Sequence, residues 1–267
     1  MNNQPIGFLD SGVGGLTVVK EAMKQLPNET VYYIGDTLRC PYGPRPVEEI
    51  KQFTWEMVRF LLSKNVKMIV IACNTATAIA LEEIKESIDI PVVGVIIPGA
   101  RAALRLTSSH RIGVIGTVGT INSGEYSKAI QRKVPKTKVY GLACPKFVPI
   151  VESKQYESAI AKKVVDETLE AFSDKNIDTL VMGCTHYPLL KPLIKEKMGE
   201  SVQLVDSGAE AVSEVSMLLD YYDISADATD KGKNHQFFAT GSKKLFEDIT
   251  HDWLSIEDIS VNRVTLP

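Results

Sequence analysis

The chain has 267 residues, 44% hydrophobic and 24% charged, which is the profile of a soluble globular protein with one large domain or two ordinary ones. Thirty basic against 33 acidic residues leave a net charge of −3, so no bulk basic field draws nucleic acid or anionic membrane, and no apolar stretch approaches the roughly 18 residues of a membrane span. Four cysteines (Cys40, Cys73, Cys144, Cys184) are too few for a disulfide framework at this length; they predict free thiols in a reducing compartment. With no basic region and apolar run over Met1 to Asp10, the expected location is the cytoplasm.

Ile6 to Leu9 is a short apolar run that ends in Asp10-Ser11-Gly12-Val13-Gly14-Gly15. A helical pattern follows through Leu16, Val19, Met23 and Leu26, giving strand, glycine-rich turn and helix. Thr30 to Ile34 predicts a second strand, and Pro41 to Pro46 a loop. Pro46 suits a helix first turn, with Glu48 and Glu49 favourable near its positive end, and Ile50, Phe53, Met57, Leu61 and Leu62 form the apolar face. Val66 to Ala72 is continuously apolar, as a strand buried on both faces of a parallel sheet would be. It ends at Cys73-Asn74-Thr75, a helix runs from about Thr75 to Ser87, and Pro91 to Ile96 predicts another strand. Such alternation implies an α/β domain with right-handed crossovers.

The pattern then restarts. Ile6 to Ser11 resembles Ile112 to Thr117, and Met68 to Cys73 resembles Thr179 to Cys184, at nearly equal offsets of 106 and 111 residues. Two similar α/β units are expected, each with a hydroxyl residue after its first strand and a cysteine after a later one. Glu210 to Tyr222 predicts a helix and Asp223 to His235 a loop; the strand-like and helical pieces from Gln236 to Pro267 are expected to pack back on the first unit.

Ligands of open α/β sheets sit beyond the carboxyl ends of strands, where helix N-termini aim N–H groups outward. Asp10-Ser11, Cys73-Asn74-Thr75, Thr117 to Thr120 and Cys184-Thr185-His186 all fall at such ends. The glycine turn is neither a dinucleotide fingerprint, since position 17 is Thr17, nor a P-loop, since no Lys-Ser/Thr pair follows. A carboxylate-sized anion suits it better. No metal is expected: Cys184 and His186 offer only two soft ligands, and the calcium-loop look of Asp223 to Asn234 fails at Ala228 and Asn234. Cys40 in a turn and Cys144 before Pro145 are expected to be structural.

Cys73 and Cys184 are different, because they end matching strands of two repeats. Helix N-termini lower thiol pKa values, so both are expected to be acidic. Two such thiols flanking one carbon form a symmetric acid/base pair: one removes a proton from one face and the other delivers a proton to the opposite face. The stereocentre inverts, and either hand can enter.

The chain resembles the glutamate racemases of the cofactor-independent aspartate/glutamate racemase superfamily. The resemblance rests on Gly7 to Leu16, Pro41-Tyr42-Gly43, Ala72 to Ala76, Cys144 to Pro149 and Gly183 to Leu189. It implies two α/β domains, 1–96 with 208–267 and an inserted 97–207, related by pseudo-twofold symmetry with the active site in the cleft between them. It implies interconversion of L- and D-glutamate without pyridoxal phosphate, metal or other cofactor, supplying D-glutamate to bacterial peptidoglycan, and a homodimer. Cys73 would act on D-glutamate assisted by Asp10, and Cys184 on L-glutamate assisted by His186. Asp10, Ser11, Tyr42, Gly43, Asn74, Thr75, Thr185 and His186 would contact substrate, joined by Thr117 and Thr120, with Asp36 and Glu152 next in rank. No Arg or Lys stands at the strand-end clusters, so hydroxyls and helix N-terminal amides are expected to hold the substrate carboxylates. The rival readings are another superfamily enzyme such as an aspartate racemase, a non-catalytic amino-acid-binding module, and a nucleic-acid-interacting protein, the last disfavoured by charge.

Overall fold

The computed structural model describes residues 3–227, 234–255 and 260–267. The Asp223 to His235 loop and its rejected calcium motif therefore lie partly outside the described residues. Among the described residues no helix is long and apolar enough to cross a membrane.

The first half runs β1 (Ile6–Asp10), α1 (Leu16–Gln25), β2 (Val31–Gly35), α2 (Val47–Ser63), β3 (Met68–Ile71), α3 (Asn74–Ser87) and β4 (Val92–Gly94). The chain then crosses over on α4 (Ile96–Leu106) to β5 (Arg111–Gly116), α5 (Val118–Ser123), α6 (Glu125–Lys133), β6 (Lys138–Ala143), α7 (Phe147–Glu152) and α8 (Ala159–Leu169). After β7 (Thr179–Gly183) come a 3-10 turn at Tyr187–Leu190, α9 (Lys191–Met198) and β8 (Gln203–Asp206). It returns on α10 (Ser207–Tyr221) to β9 (Gln236–Ala239), α11 (Lys243–Leu254) and β10 (Val261–Arg263).

Among the described residues there are two sheets, both wholly parallel. One has the order β10-β9-β2-β1-β3-β4 and the other β6-β5-β7-β8. The second repeats the β2-β1-β3-β4 part of the first, and the register repeats with it. Ile6 pairs with Met68 and Leu9 with Ile71, while Ile112 pairs with Thr179 and Ile115 with Met182. These are the residues whose sequence similarity predicted the duplication. Every residue of β1, β3 and β7 is buried, which is why those strands read as unbroken apolar runs. The tail does return: β9 pairs with β2, and β10 with β9.

The crossing helices α4 and α10 pack on each other, and α10 also packs on α1. One apolar cluster runs through the junction, from Phe8 and Val18 of the first unit to Met182 and Val212. The fourth strand is shorter than its sequence predicts: it ends at Gly94 rather than Ile96, and Ile96 already starts α4. Pro98 does not prevent this, because the first N–H groups of a helix need no carbonyl partner within it. On α2, Ile50, Met57 and Leu61 are buried as expected, but Leu62, one residue round the helix, is exposed.

Candidate active site

The carboxyl ends of both sheets face a single cavity. It is lined from the first unit by Ser11, Cys40, Pro41, Tyr42, Gly43, Cys73, Asn74 and Thr75, and from the second by Thr117, Val148, Gly183, Cys184, Thr185 and His186. No lysine or arginine is among them. The water-sized space inside is about 20 Å³, room for about one water molecule. A larger groove of about 730 Å³ lies at the other end of the first sheet, beside Lys67, Pro91 and Tyr222. Its lining includes no cysteine, histidine, serine or threonine, and it sits at the amino ends of the strands, away from the usual ligand edge.

Local chain geometry delivers each group. Cys73 is the N-cap of α3, its sulfur accepting from Ala76 N at 3.4 Å, and Ser11 Oγ lies 3.6 Å from the same sulfur. Cys184 directly follows β7 and leads into the 3-10 turn. The two thiols are 6% and 7% exposed. Thr117 caps α5, and its hydroxyl forms a triangle with those of Thr75 and Thr120 at 2.9 to 3.1 Å, tying the first unit to the second. Asp10 Oδ1 accepts from Gly12 N at 2.9 Å, and Oδ2 from Thr185 Oγ1 at 3.3 Å. Thr17 Oγ1 donates to Thr185 O at 2.8 Å, a further bridge between the units.

The family model for Asp/Glu/hydantoin racemases matches residues 14–215. A glutamate racemase from Carnobacterium sp. (strain St2) is 59% identical over 267 residues, covering 100% of both chains. The chain belongs to the Asp/Glu/hydantoin racemase family. Its fold is that of a glutamate racemase isoform from Bacillus anthracis, with a TM-score of 0.96 at 47% identity over 100% of this chain and 99% of that one. A glutamate racemase from Francisella tularensis, solved with D-glutamate, aligns with a TM-score of 0.92 at 37% identity over 99% and 98%. The chain is thus an isomerase, and the resemblance read from its motifs holds along its whole length.

Within this racemase most of the expected site residues meet at the cavity; Asp10, Asp36 and Thr120 are buried beside it and Glu152 is exposed, none of the four among its lining residues. Asp36 accepts from Tyr42 Oη at 2.5 Å and Thr240 Oγ1 at 2.8 Å and pairs with Arg39, so it braces the Tyr42 loop from behind. Thr120 is buried under Thr75 and Thr117. Cys40, expected to be structural, lines the cavity instead, with its sulfur 3.8 Å from Glu152 Oε1. Pro41, Gly183 and Val148 line it too; each falls inside a motif already quoted, which is the signal that could have found them.

The electrostatics correct one expectation. Cys73 is not acidic: burial first, then the charge of Asp10, push its thiol up to about 12, and the helix-end N–H of Ala76 and the Ser11 hydroxyl only partly offset them. Burial likewise holds the Asp10 carboxyl above its usual value, against the opposing pull of His186 and of the turn's N–H groups.

His186 shows the opposite balance. Its Nδ1 lies 3.8 Å from Cys184 Sγ and its Nε2 3.0 Å from Glu152 Oε1. Burial disfavours the charged ring, but hydrogen bonds to Cys184 and Glu152 outweigh it and raise its pKa to about 10. Burial of Glu152 is outweighed in the same way by His186, and its carboxyl is lowered. The linkage signs follow. The raised His186 adds stability that is complete below its unfolded pKa and is lost as pH rises through about 10. The lowered Glu152 adds stability that is present above its ordinary pKa and is lost as pH falls through the lowered one. Thermal unfolding of Glu152→Gln against the parent is expected to show its largest Tm gap between about pH 5 and 6.5, closing by about pH 10 to 11. A gap of constant size across that range would mean that no ion pair exists.

Proposed function

We propose that this enzyme interconverts L- and D-glutamate by passing a proton between the α-carbon and two thiols, Cys73 and Cys184. The observation that carries the reading is that two buried thiols, at equivalent ends of two repeated sheets, line one cavity. A thiolate on one face takes the α-proton, forming S–H and leaving the electron pair on carbon. The thiol on the other face gives its proton to that carbon and becomes the thiolate. Nothing is consumed, and exchange with solvent resets the pair. We assign Cys184 to L-glutamate and Cys73 to D-glutamate on the strength of the family resemblance. Positive charge on His186, 3.8 Å from Cys184, stabilises negative charge on that sulfur.

The lining supports an amino-acid substrate held by neutral donors. Ser11, Asn74, Thr75, Thr117 and Thr185 offer hydroxyls and an amide, and the N-termini of α3 and α5 offer backbone N–H groups. With water-sized space of only about 20 Å³, the cavity is expected to widen on substrate entry and to close around the bound substrate, excluding water from the carbanion-like transition state. We read 1–96 with 208–267, and 97–207, as the two moving domains; the return of β9 and β10 to the first sheet supports that division. Supply of D-glutamate for peptidoglycan, a cytoplasmic location and a homodimer complete the reading on the resemblance alone.

The test is racemisation in deuterium oxide. Either glutamate enantiomer is expected to yield the other with deuterium at the α-carbon, with no added cofactor and in the presence of a chelator. Aspartate run in parallel is expected to turn over far more slowly. Inversion without deuterium uptake would rule out proton transfer through exchangeable thiols, and equal turnover of aspartate would overturn the assignment of substrate.

A further inference from the structure

Tyr126 lies outside the cavity lining, yet it is buried where both units and both crossing helices meet. It is the second residue of α6, and its ring fills the space over two glycines: a Cβ on Gly99 of α4 would lie 3.4 Å from its Cε1, and a Cβ on Gly183, the residue before Cys184, 3.0 Å from its Cε2. Its hydroxyl donates to Asn74 Oδ1 of the other unit at 2.6 Å. Asn74 stands at the start of α3 beside Cys73, is 3% exposed, and lines the cavity. Its Nδ2 has no hydrogen-bond partner among the described residues. An amide whose oxygen is satisfied and whose buried NH2 is not is a donor kept for a ligand.

We propose that Tyr126 is a positioning residue: by binding Asn74 Oδ1 it fixes the amide with its NH2 turned toward the cavity, where it donates to a carboxylate of the substrate. The proposal rests on the reading of the cavity as an amino-acid site. Its physical content is that a side-chain amide has two nearly isosteric orientations. One offers N–H to an anion, and the other offers a carbonyl oxygen that repels it. Tyr126 removes the second. Because the ring is lodged between Gly99 and Gly183 while its hydroxyl reaches the first unit, the orientation also requires the two units to be correctly juxtaposed.

The experiment is a double-mutant cycle on the full-length enzyme with Tyr126→Phe and Asn74→Ala, reading KM, kcat and Tm with glutamate. Tyr126→Phe keeps the ring and removes only the hydroxyl. It is expected to raise KM about tenfold for both enantiomers while kcat stays within about twofold, the pattern of lost binding shared by ground and transition states. In the Asn74→Ala background it is expected to change KM no further, because the group it orients is gone. Independent effects of the two substitutions, or an unchanged KM in Tyr126→Phe where Asn74→Ala raises it, would overturn the proposal. An Asn74→Ala enzyme with unchanged KM would remove Asn74 as a substrate contact, a failure of the site reading distinguishable from the others. A measurement on the parent enzyme needs no variant: the Asn74 side-chain NH2 resonances are expected to shift when glutamate is added, and resonances that stay in place would count against the proposal.

Discussion

Alanine at Cys73 or at Cys184 is expected to lower racemisation by at least about 10³-fold in both directions. The magnitude follows from what is removed. In the proposed mechanism each passage through the reaction needs one sulfur to take the proton and another to give it, so no single sulfur can invert the centre. Hydroxyls around the site do not substitute, because their pKa values lie far above those of thiols. The two variants are expected to differ in what remains. Each keeps one thiol, which can exchange the α-proton of the enantiomer facing it with solvent without inverting it. Deuterium is therefore expected to wash into D-glutamate in Cys184→Ala and into L-glutamate in Cys73→Ala, with no optical rotation change in either. The substitutions remove one buried sulfur each, so folding is expected to survive, and unchanged circular dichroism checks this. Racemisation near the parent rate in either variant would end the two-thiol mechanism.

The parts of this molecule that were legible in its sequence are those governed by neighbours in the chain. The buried central strands are unbroken apolar runs, the helix starts carry capping side chains at Cys73 and Thr117, and the repeat shows in the pairs that share a register. What was not legible depends on residues brought together from far apart. Asp10 and Thr185 bond across 175 positions, and Tyr126 and Asn74 across 52; no periodicity announces either. The high pKa of the Cys73 thiol is hidden from the sequence for the same reason. Its helix N-terminus is a local feature, whereas burial and the nearby Asp10 charge, which outweigh it, are products of the whole fold. Asp36 and Cys40 exchanged their expected places, since whether a loop side chain faces the cavity or its rear is set by backbone direction within the loop.

The second large effect concerns a residue with no side chain. Gly14 lies where the first unit's glycine turn presses on Thr185 and His186 of the second unit. A Cβ there would fall 2.2 Å from Thr185 Oγ1 and 2.5 Å from His186 Nδ1, far inside contact distance. Neither neighbour can yield cheaply. Thr185 is held by its bonds to Asp10 and Thr17, and Thr17 Oγ1 also donates to Gly14 O at 3.0 Å. His186 is held between Cys184 and Glu152, with the edge of the Trp253 ring behind it. The added methyl group must therefore drive the units apart or displace His186 from Cys184 by roughly an ångström, a misplacement worth about 10²-fold in rate. Gly14→Ala is expected to lose about that much in kcat/KM while its circular dichroism stays that of the parent. Gly199 supplies the control. Its φ of +79° disfavours any L side chain, but a Cβ there meets nothing within 4 Å. Gly199→Ala is accordingly expected to lower Tm with little change in kcat/KM. If Gly14→Ala retained the parent's kcat/KM, the close approach of the two units at Thr185 and His186 would not be what holds the proposed catalytic groups in place.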